Sequence, residues 1–277
     1  MNRKEKYSAV VVLYNPKNEN ILNLKIYLTV FDKLYVFDNS DCSNETLFNN
    51  KCIEYCYFGE NKGLSVPYNM AIEKSKMDGY DFLCILDQDS HFSDKSILEI
   101  INVISKDTEI NSTGIYCPRI SVLNGQNNRT TRNIIEKVDW AINSGSFINL
   151  NVIKQYTIRY DDNYFLDRLD KDFCKQIKDN NLYIKRINNS VLEQELGEVY
   201  NGKIIHSPIR NYYMARNRLY YNKKYFSAPL RWIYNLSQTI RHLFEIISVR
   251  KDVFENVKMI LIGVDDYFKG IMGRKNI

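Results

Sequence analysis

Nothing in the 277-residue chain approaches the ~18 to 20 consecutive apolar residues of a membrane-spanning helix. Its best window, Met259 to Val264, runs into Asp265-Asp266. No secretory leader is expected either: Met1 to Lys6 is polar, and only about seven mostly apolar residues precede Asn15-Pro16, too few for a signal core. Six cysteines form no Cys-x-x-Cys pair, and reduced thiols in a cytoplasmic protein are the expected state. The three histidines, His91, His206 and His242, make no zinc-ligand pattern. There is no Gly-x-Gly-x-x-Gly, no Gly-Lys-Ser/Thr loop and no Gly-x-Ser-x-Gly elbow. These absences argue against dinucleotide-binding, P-loop and α/β-hydrolase chemistry. Charge is nearly balanced, 38 basic against 33 acidic residues for a net +5, so nucleic acid is not an expected partner.

With 44% hydrophobic and 26% charged residues, the composition is that of a globular chain with a sizeable core. Short β-branched or aromatic runs at Ala9–Leu13, Leu34–Phe37, Ile53–Phe58 and Phe82–Leu86 predict strands. Helical spacing predicts helices over Ile21–Phe31, Tyr68–Lys76 and Lys95–Ser105, the last capped by Ser93 or Asp94. Such alternation predicts an α/β fold with a mostly parallel central sheet flanked by helices. The Asn-rich stretch Gly125 to Arg132 reads as a loop. A second strand pair is expected at Leu182–Ile187 and Val191–Leu196, and the chain beyond Asn211 reads as helical, basic and aromatic. A catalytic domain over 1–227 and a helical C-terminal extension over 228–277 follow, divided near Ser227-Ala228-Pro229.

The most informative stretch is Leu86-Asp87-Gln88-Asp89-Ser90. Strand alternation puts both carboxylates on one side at a carboxyl edge, where α/β sheets bind ligands. Such a pair can hold Mn²⁺ or Mg²⁺ together with substrate phosphates; the alternative is a solvated turn. Tyr14-Asn15-Pro16 and Asp38-Asn39-Ser40 close their strands in the same way, outlining a crevice, although strands commonly end in such residues. Asn61-Lys62-Gly63 opens a helix whose N-terminal N–H groups can meet an anion, or is an ordinary turn. Asp167 and Asp170 precede or open another helix; Asp170 can accept a proton from an acceptor hydroxyl, or simply complement the helix dipole. Arg210, Arg216 and Arg218 alternate with tyrosines, and can grip pyrophosphate or cover the sheet.

Together these pieces resemble the inverting GT-A glycosyltransferases of family 2, most closely the rhamnosyltransferase-like branch. The resemblance rests on seven stretches in order: Val12 to Pro16, Phe37 to Ser40, Asn61-Lys62-Gly63 with Asn69, Leu86 to Ser90, Asn143-Ser144-Gly145, Phe165 to Cys174, and Arg210 to Asn217. It implies a GT-A fold and a nucleotide-sugar donor, dTDP- or UDP-linked, held by Tyr14, Asn15, Asp38, Asn61, Gly63, Asn69, Asp87, Gln88, Arg210 and Arg216. Asp38 would meet the nucleobase, Asp87 the ribose or the metal shell, Asp89 the divalent cation on the donor diphosphate, and Asp170 would be the catalytic base. Asn143, Ser144, Gly145, Asp167 and His206 would line the acceptor and donor pocket. The sequence departs from the family at Ser65-Val66-Pro67 after Gly63, and at Gln194, where many members carry a histidine; His206 is then the candidate for that role. The implied reaction extends a polysaccharide or lipid-linked oligosaccharide, possible donors including the rhamnosyl one. The basic C-terminal segment is a candidate for peripheral membrane contact or a homodimer surface. A metal-dependent nucleotidyltransferase and a non-catalytic nucleotide-sugar-binding module are the alternative readings.

Overall fold

The computed structural model describes residues 5–122, 133–194, 199–200, 203–249 and 251–275. The expected loop at Gly125 to Arg132 lies outside them. In chain order the elements are β1 (Tyr7–Leu13), α1 (Asn18–Tyr27), β2 (Lys33–Asp38), β3 (Ile53–Tyr57), α2 (Ser65–Met77), β4 (Phe82–Asp87), β5 (Ser90–Phe92) and α3 (Asp94–Ile104). Then follow β6 (Thr113–Val122), β7 (Ile135–Val138), β8 (Phe147–Asn149), α4 (Leu150–Gln155), α5 (Leu169–Asp179) and β9 (Tyr183–Gln194). The last are β10 (Val199–Tyr200), β11 (Lys203–Ile204), α6 (Pro208–Tyr225), α7 (Ala228–Val249) and α8 (Val253–Phe268).

The four expected N-terminal strands form, and they pair in parallel in the order β3-β2-β1-β4. β1 is buried along its whole length, as a strand covered on both faces should be. Ser93 caps α3 by accepting the Ser96 N–H at 3.2 Å, and Ile97, Ile100 and Ile104 face the core. Beyond β4 the sheet turns mixed: β8 is antiparallel to β4 and β6, while β9 is parallel to β6 and antiparallel to β5 and β7. The strand pair expected around residues 182–196 is instead one strand, β9. Asn188-Asn189-Ser190 reads as a turn, but Asn188 donates to the Asn133 carbonyl and Ser190 to the Ser96 carbonyl, so the chain stays extended. All six cysteines are free, with Cys84, Cys117 and Cys174 buried. No helix among the described residues is long and apolar enough to cross a membrane.

The chain forms two compact units, Met1–Tyr160 with Phe173–Glu195, and Asp161–Asp172 with Leu196–Ile277. Ser227, where the sequence reading divides the chain, lies between α6 and α7. In the second unit, α6 and α8 approach so closely at Gly263 that a Cβ there would lie 2.6 Å from the Tyr212 carbonyl oxygen. The acidic segment 161–172 and the basic, aromatic α6 satisfy one another. Asp172, fully buried, accepts from Lys224 Nζ at 2.8 Å and the Tyr225 hydroxyl at 2.9 Å. Asp161 takes Lys224 and the Tyr220 hydroxyl, each at 3.0 Å.

Candidate active site

Parallel register aligns the ends of three strands: Leu13 lies beside Asp38, and Val12 beside Asp87. The residues that follow are tied together by side-chain amides. Gln88, between the two carboxylates, accepts the Tyr14 N–H at 2.9 Å and donates to the Tyr14 carbonyl at 3.2 Å. Its own carbonyl takes Asn20 Nδ2 at 3.1 Å. Asn15, at a φ of +44°, donates its N–H to Ser40 Oγ at 2.8 Å and exchanges side-chain bonds with Asp41. Asn39, which the sequence reading did not single out, donates to the Gly63 carbonyl at 2.8 Å and accepts the Lys62 N–H at 2.9 Å. Its signal was its place inside Asp38-Asn39-Ser40.

These bonds revise several expected roles. Asp38 is fully buried, and its carboxylate already accepts from the Ser40 N–H, the Asn44 backbone and side chain, and the Tyr55 hydroxyl at 2.5 Å. Burial alone would raise its pKa, but these hydrogen bonds hold it below the ordinary carboxylate range. Its work in this structure is to order residues 39–44 rather than to present a free acceptor to a base. Gln88 and Asn15 likewise spend their amides on the edge itself. The Gly63 N–H is taken by Asn61 Oδ1 at 2.9 Å, so the Lys62 and Gly63 amides do not face an anion, although Gly63 keeps the left-handed φ of +74° that the turn needs. Asn69 brackets Tyr160, donating to its carbonyl at 2.9 Å and accepting its N–H at 3.0 Å.

The edge is completed from β8. Gly145 N–H donates to the Ile85 carbonyl at 2.7 Å, and Ser144 Oγ meets Ser90 Oγ at 2.7 Å, which brings Asn143-Ser144-Gly145 onto Asp87-Gln88-Asp89-Ser90. Asn143 accepts the hydroxyl of Tyr160 at 2.9 Å, so Asn69, Tyr160 and Asn143 form one chain of bonds. Asp87 ends β4 half-buried, and Asp89 is exposed in the following turn. No group of three or more His, Cys, Asp or Glu among the described residues could hold a metal ion. A pair of carboxylates fits the hard cations Mg²⁺ and Mn²⁺, which take substrate oxygens and water for the rest of their shell.

The remaining candidates lie in the second unit. Asp167 and Arg168 both sit at positive φ, +58° and +70°, just before α5, and Asp167 accepts from Arg210 at 3.3 Å. Asp170 is the second residue of α5. Burial pushes its carboxyl pKa up, and the charge of Asp167 adds to this against the bond from the Lys171 N–H. That is the direction a general base working near neutrality requires. His206 precedes the Ser207 cap of α6 and is half-buried; burial, with Arg210 nearby, pushes its pKa down and keeps the ring neutral. Arg216, an expected donor ligand, is engaged within the fold in this structure. It is wholly buried, donating to Tyr212 Oη at 3.0 Å, to the Gly273 carbonyl at 2.7 Å and to Asn217.

No family model matches the chain. A dTDP-rhamnosyl transferase, RfbF, of Shigella flexneri is 24% identical over 287 residues, spanning 96% of each chain. Among solved structures, TarS 1-349 of S. aureus superposes with a TM-score of 0.54 at 14% identity, over 96% of this chain and 92% of that one. The same protein in complex with UDP-GlcNAc gives 0.52 at 15% identity, over 95% and 73%. GalNAc-T7 with UDP, GalNAc and Mn²⁺ gives 0.58 at 12% identity over 79% of this chain, which spans only about half, 51%, of that structure. A central sheet whose strand ends carry the Asp-x-Asp motif, superposing on these enzymes, means that the chain has the GT-A glycosyltransferase fold, as its motif resemblance to the rhamnosyltransferase-like branch implied.

Proposed function

We propose that the chain is an inverting, metal-dependent glycosyltransferase that moves a sugar from a nucleoside-diphosphate donor to a hydroxyl of a growing polysaccharide or lipid-linked oligosaccharide. The observation that carries the reading is the stitched carboxyl edge, with Asp87 and Asp89 held on either side of an immobilised Gln88 and joined through Ser90 to Ser144. A transfer site needs its charged groups preorganised, and amide bonds to backbone provide that without neutralising either carboxylate. Asp87 and Asp89 would hold Mn²⁺ or Mg²⁺, which supplies charge neutralisation to a departing diphosphate.

Asp170 takes the proton of the acceptor hydroxyl. The acceptor oxygen bonds to the anomeric carbon as the bond to the diphosphate oxygen breaks, so configuration inverts and the nucleoside diphosphate leaves with the electron pair. Asn143 and Ser144, anchored by Tyr160 and Ser90, form the floor against which the sugar is placed. Asp167, whose charge acts on both Asp170 and His206, would link the two, with His206 neutral and able to offer either a donor or an acceptor. The name of the Shigella flexneri relative supports dTDP-rhamnose as a donor to test first, and the TarS complex supports UDP-linked sugars beside it.

The test is release of nucleoside diphosphate from a panel of dTDP- and UDP-sugars with Mn²⁺ or Mg²⁺, with thermal shifts by nucleotides recorded on the same samples. Metal-dependent release from one donor, lost in Asp89→Asn, is the expected result. No release together with no shift by any nucleotide refutes the reading.

A further inference from the structure

Helix α7 buries a mixed face. Ile246 and Leu243 pack against Ala215 and Ile260, while Asn235 accepts from Asn222 at 2.8 Å, His242 bonds Asn211 at 2.9 Å, and Thr239 accepts from Arg218 at 3.1 Å. Its solvent side carries a further apolar stripe: Leu230, Ile233, Leu236, Ile240, Phe244 and Ile247 are 49%, 62%, 65%, 58%, 71% and 55% exposed. At ~100° per residue the last five fall within an arc of roughly 80°, with no charged residue among them. Weighted by side-chain size, the six expose roughly 700 Å², above the few hundred Å² that a monomer ordinarily leaves as one apolar patch.

The spacing of the stripe is symmetric. Ile233, Leu236, Ile240, Phe244 and Ile247 stand three, four, four and three residues apart, so the pattern reads the same in both directions about Ile240. A two-fold axis through Ile240 would set an antiparallel second copy against it, with Ile240 on Ile240, Leu236 on Phe244 and Ile233 on Ile247. That is the self-complementarity an isologous interface requires. The area also matches, since roughly 700 Å² per copy is close to the about 800 Å² per partner of a standard interface. An anionic lipid surface fits less well. Interfacial helices flank their apolar face with many Lys and Arg, whereas α7 carries Arg231 and Arg241 against Glu245, a net of 2 − 1 = +1, and Arg241 is spent on Glu245 at 2.9 Å.

We propose that α7 is the dimerisation helix of this protein, pairing antiparallel with α7 of a second copy through Ile240. Sedimentation equilibrium of the full chain from about 1 to 100 μM should give a mass of two 32.8 kDa chains at the upper end. Ile240→Glu places two carboxylates on the axis and should weaken association by at least ~100-fold, as should Ile240→Lys. Mixing the two variants should restore the dimer, a result that only a self-opposed residue 240 yields. Circular dichroism melts of each variant confirm that the fold is kept, because residue 240 faces solvent in the single chain. A wild-type monomer throughout the range overturns the proposal, as does a dimer untouched by either substitution, or no rescue on mixing. Wild-type monomer that sediments with phosphatidylglycerol vesicles would assign the face to lipid and overturn it as well.

Discussion

Substituting Gly145 tests whether the Asn143-Ser144-Gly145 turn is held by packing or only by backbone conformation. Its φ is +74°, where an L-residue costs about 1–2 kcal/mol. A Cβ there would also stand 2.7 Å from Leu192 Cδ1 and 2.8 Å from Pro118 Cγ. Proline cannot swing aside, so overpacking should add about 1–3 kcal/mol. Gly79 is the internal control, with a φ of +77° and nothing within 4 Å of its Cβ position. Gly79→Ala should therefore cost about 1–2 kcal/mol and Gly145→Ala about 2–5, less a few tenths each for the stiffer unfolded chain. At roughly 2–4 °C per kcal/mol for a unit of this size, the melting points should fall by about 2–8 °C and 4–20 °C respectively. Differential scanning calorimetry of both variants decides the matter, with nucleotide-sugar turnover measured alongside. Turnover should fall only in Gly145→Ala, because displacing that turn also moves Ser144 off Ser90. Equal melting points for the two variants would refute the packing argument, and full turnover in Gly145→Ala would refute its link to the site.

Asp170→Asn should abolish transfer without lowering the melting point, since burial already disfavours the charged form that the substitution removes; retained turnover would discard the base assignment. His242 titrates in the opposite sense: burial, with Arg218 beside it, lowers its pKa from 6.5 to about 4. Between those values the unfolded chain binds a proton that the native ring refuses. Stability should thus be full above about pH 6.5 and fall, by something on the order of 2 kcal/mol after allowing for solvent screening, as pH drops toward 4. Urea titrations at pH 7 and pH 4.5 should show this slope, and His242→Gln should flatten it. Arg216→Met, which strips Tyr212 and the Gly273 carbonyl of a buried partner, should cost about 1–3 kcal/mol, whereas a donor-binding arginine would instead raise KM at unchanged stability.

How far the fold could be read from sequence follows from how locally each element is specified. β1 to β4 were legible because strands buried on both faces show as short apolar runs, and α3 because its isoleucines repeat at helical spacing. β9 was read as two strands because Asn188 and Ser190 are turn formers by composition, and only bonds to residues 133 and 96 keep them extended. β6 passed unnoticed because Pro118 and Arg119 interrupt it, at the point where its register to β9 shifts. The site divided in the same manner. Its motifs were visible, but whether a polar side chain faces substrate or its own backbone is decided by long-range partners. Gln88 finds Tyr14 across 74 residues and Asn69 finds Tyr160 across 91, and no spacing rule reports either. Arg216 shows the same dependence: an arginine among tyrosines suggests phosphate, and here it donates to the Tyr212 hydroxyl and the distant Gly273 carbonyl.

The amide stitching of the strand ends also sets how the protein ages. Asn and Gln are among the thermolabile residues, and Asn39 is the one whose chemical loss would act most directly. Conversion of its side chain to a carboxylate replaces the Nδ2 donor with an oxygen that faces the Gly63 carbonyl at the same 2.8 Å, lone pair against lone pair. The Lys62 N–H would keep an acceptor while Gly63 lost its donor, so the loop would be pushed off the end of β2 without any change in the carboxylates. A protein stored warm should therefore lose activity faster than it loses fold, with a mass gain of a single amide-to-acid conversion marking the inactive fraction.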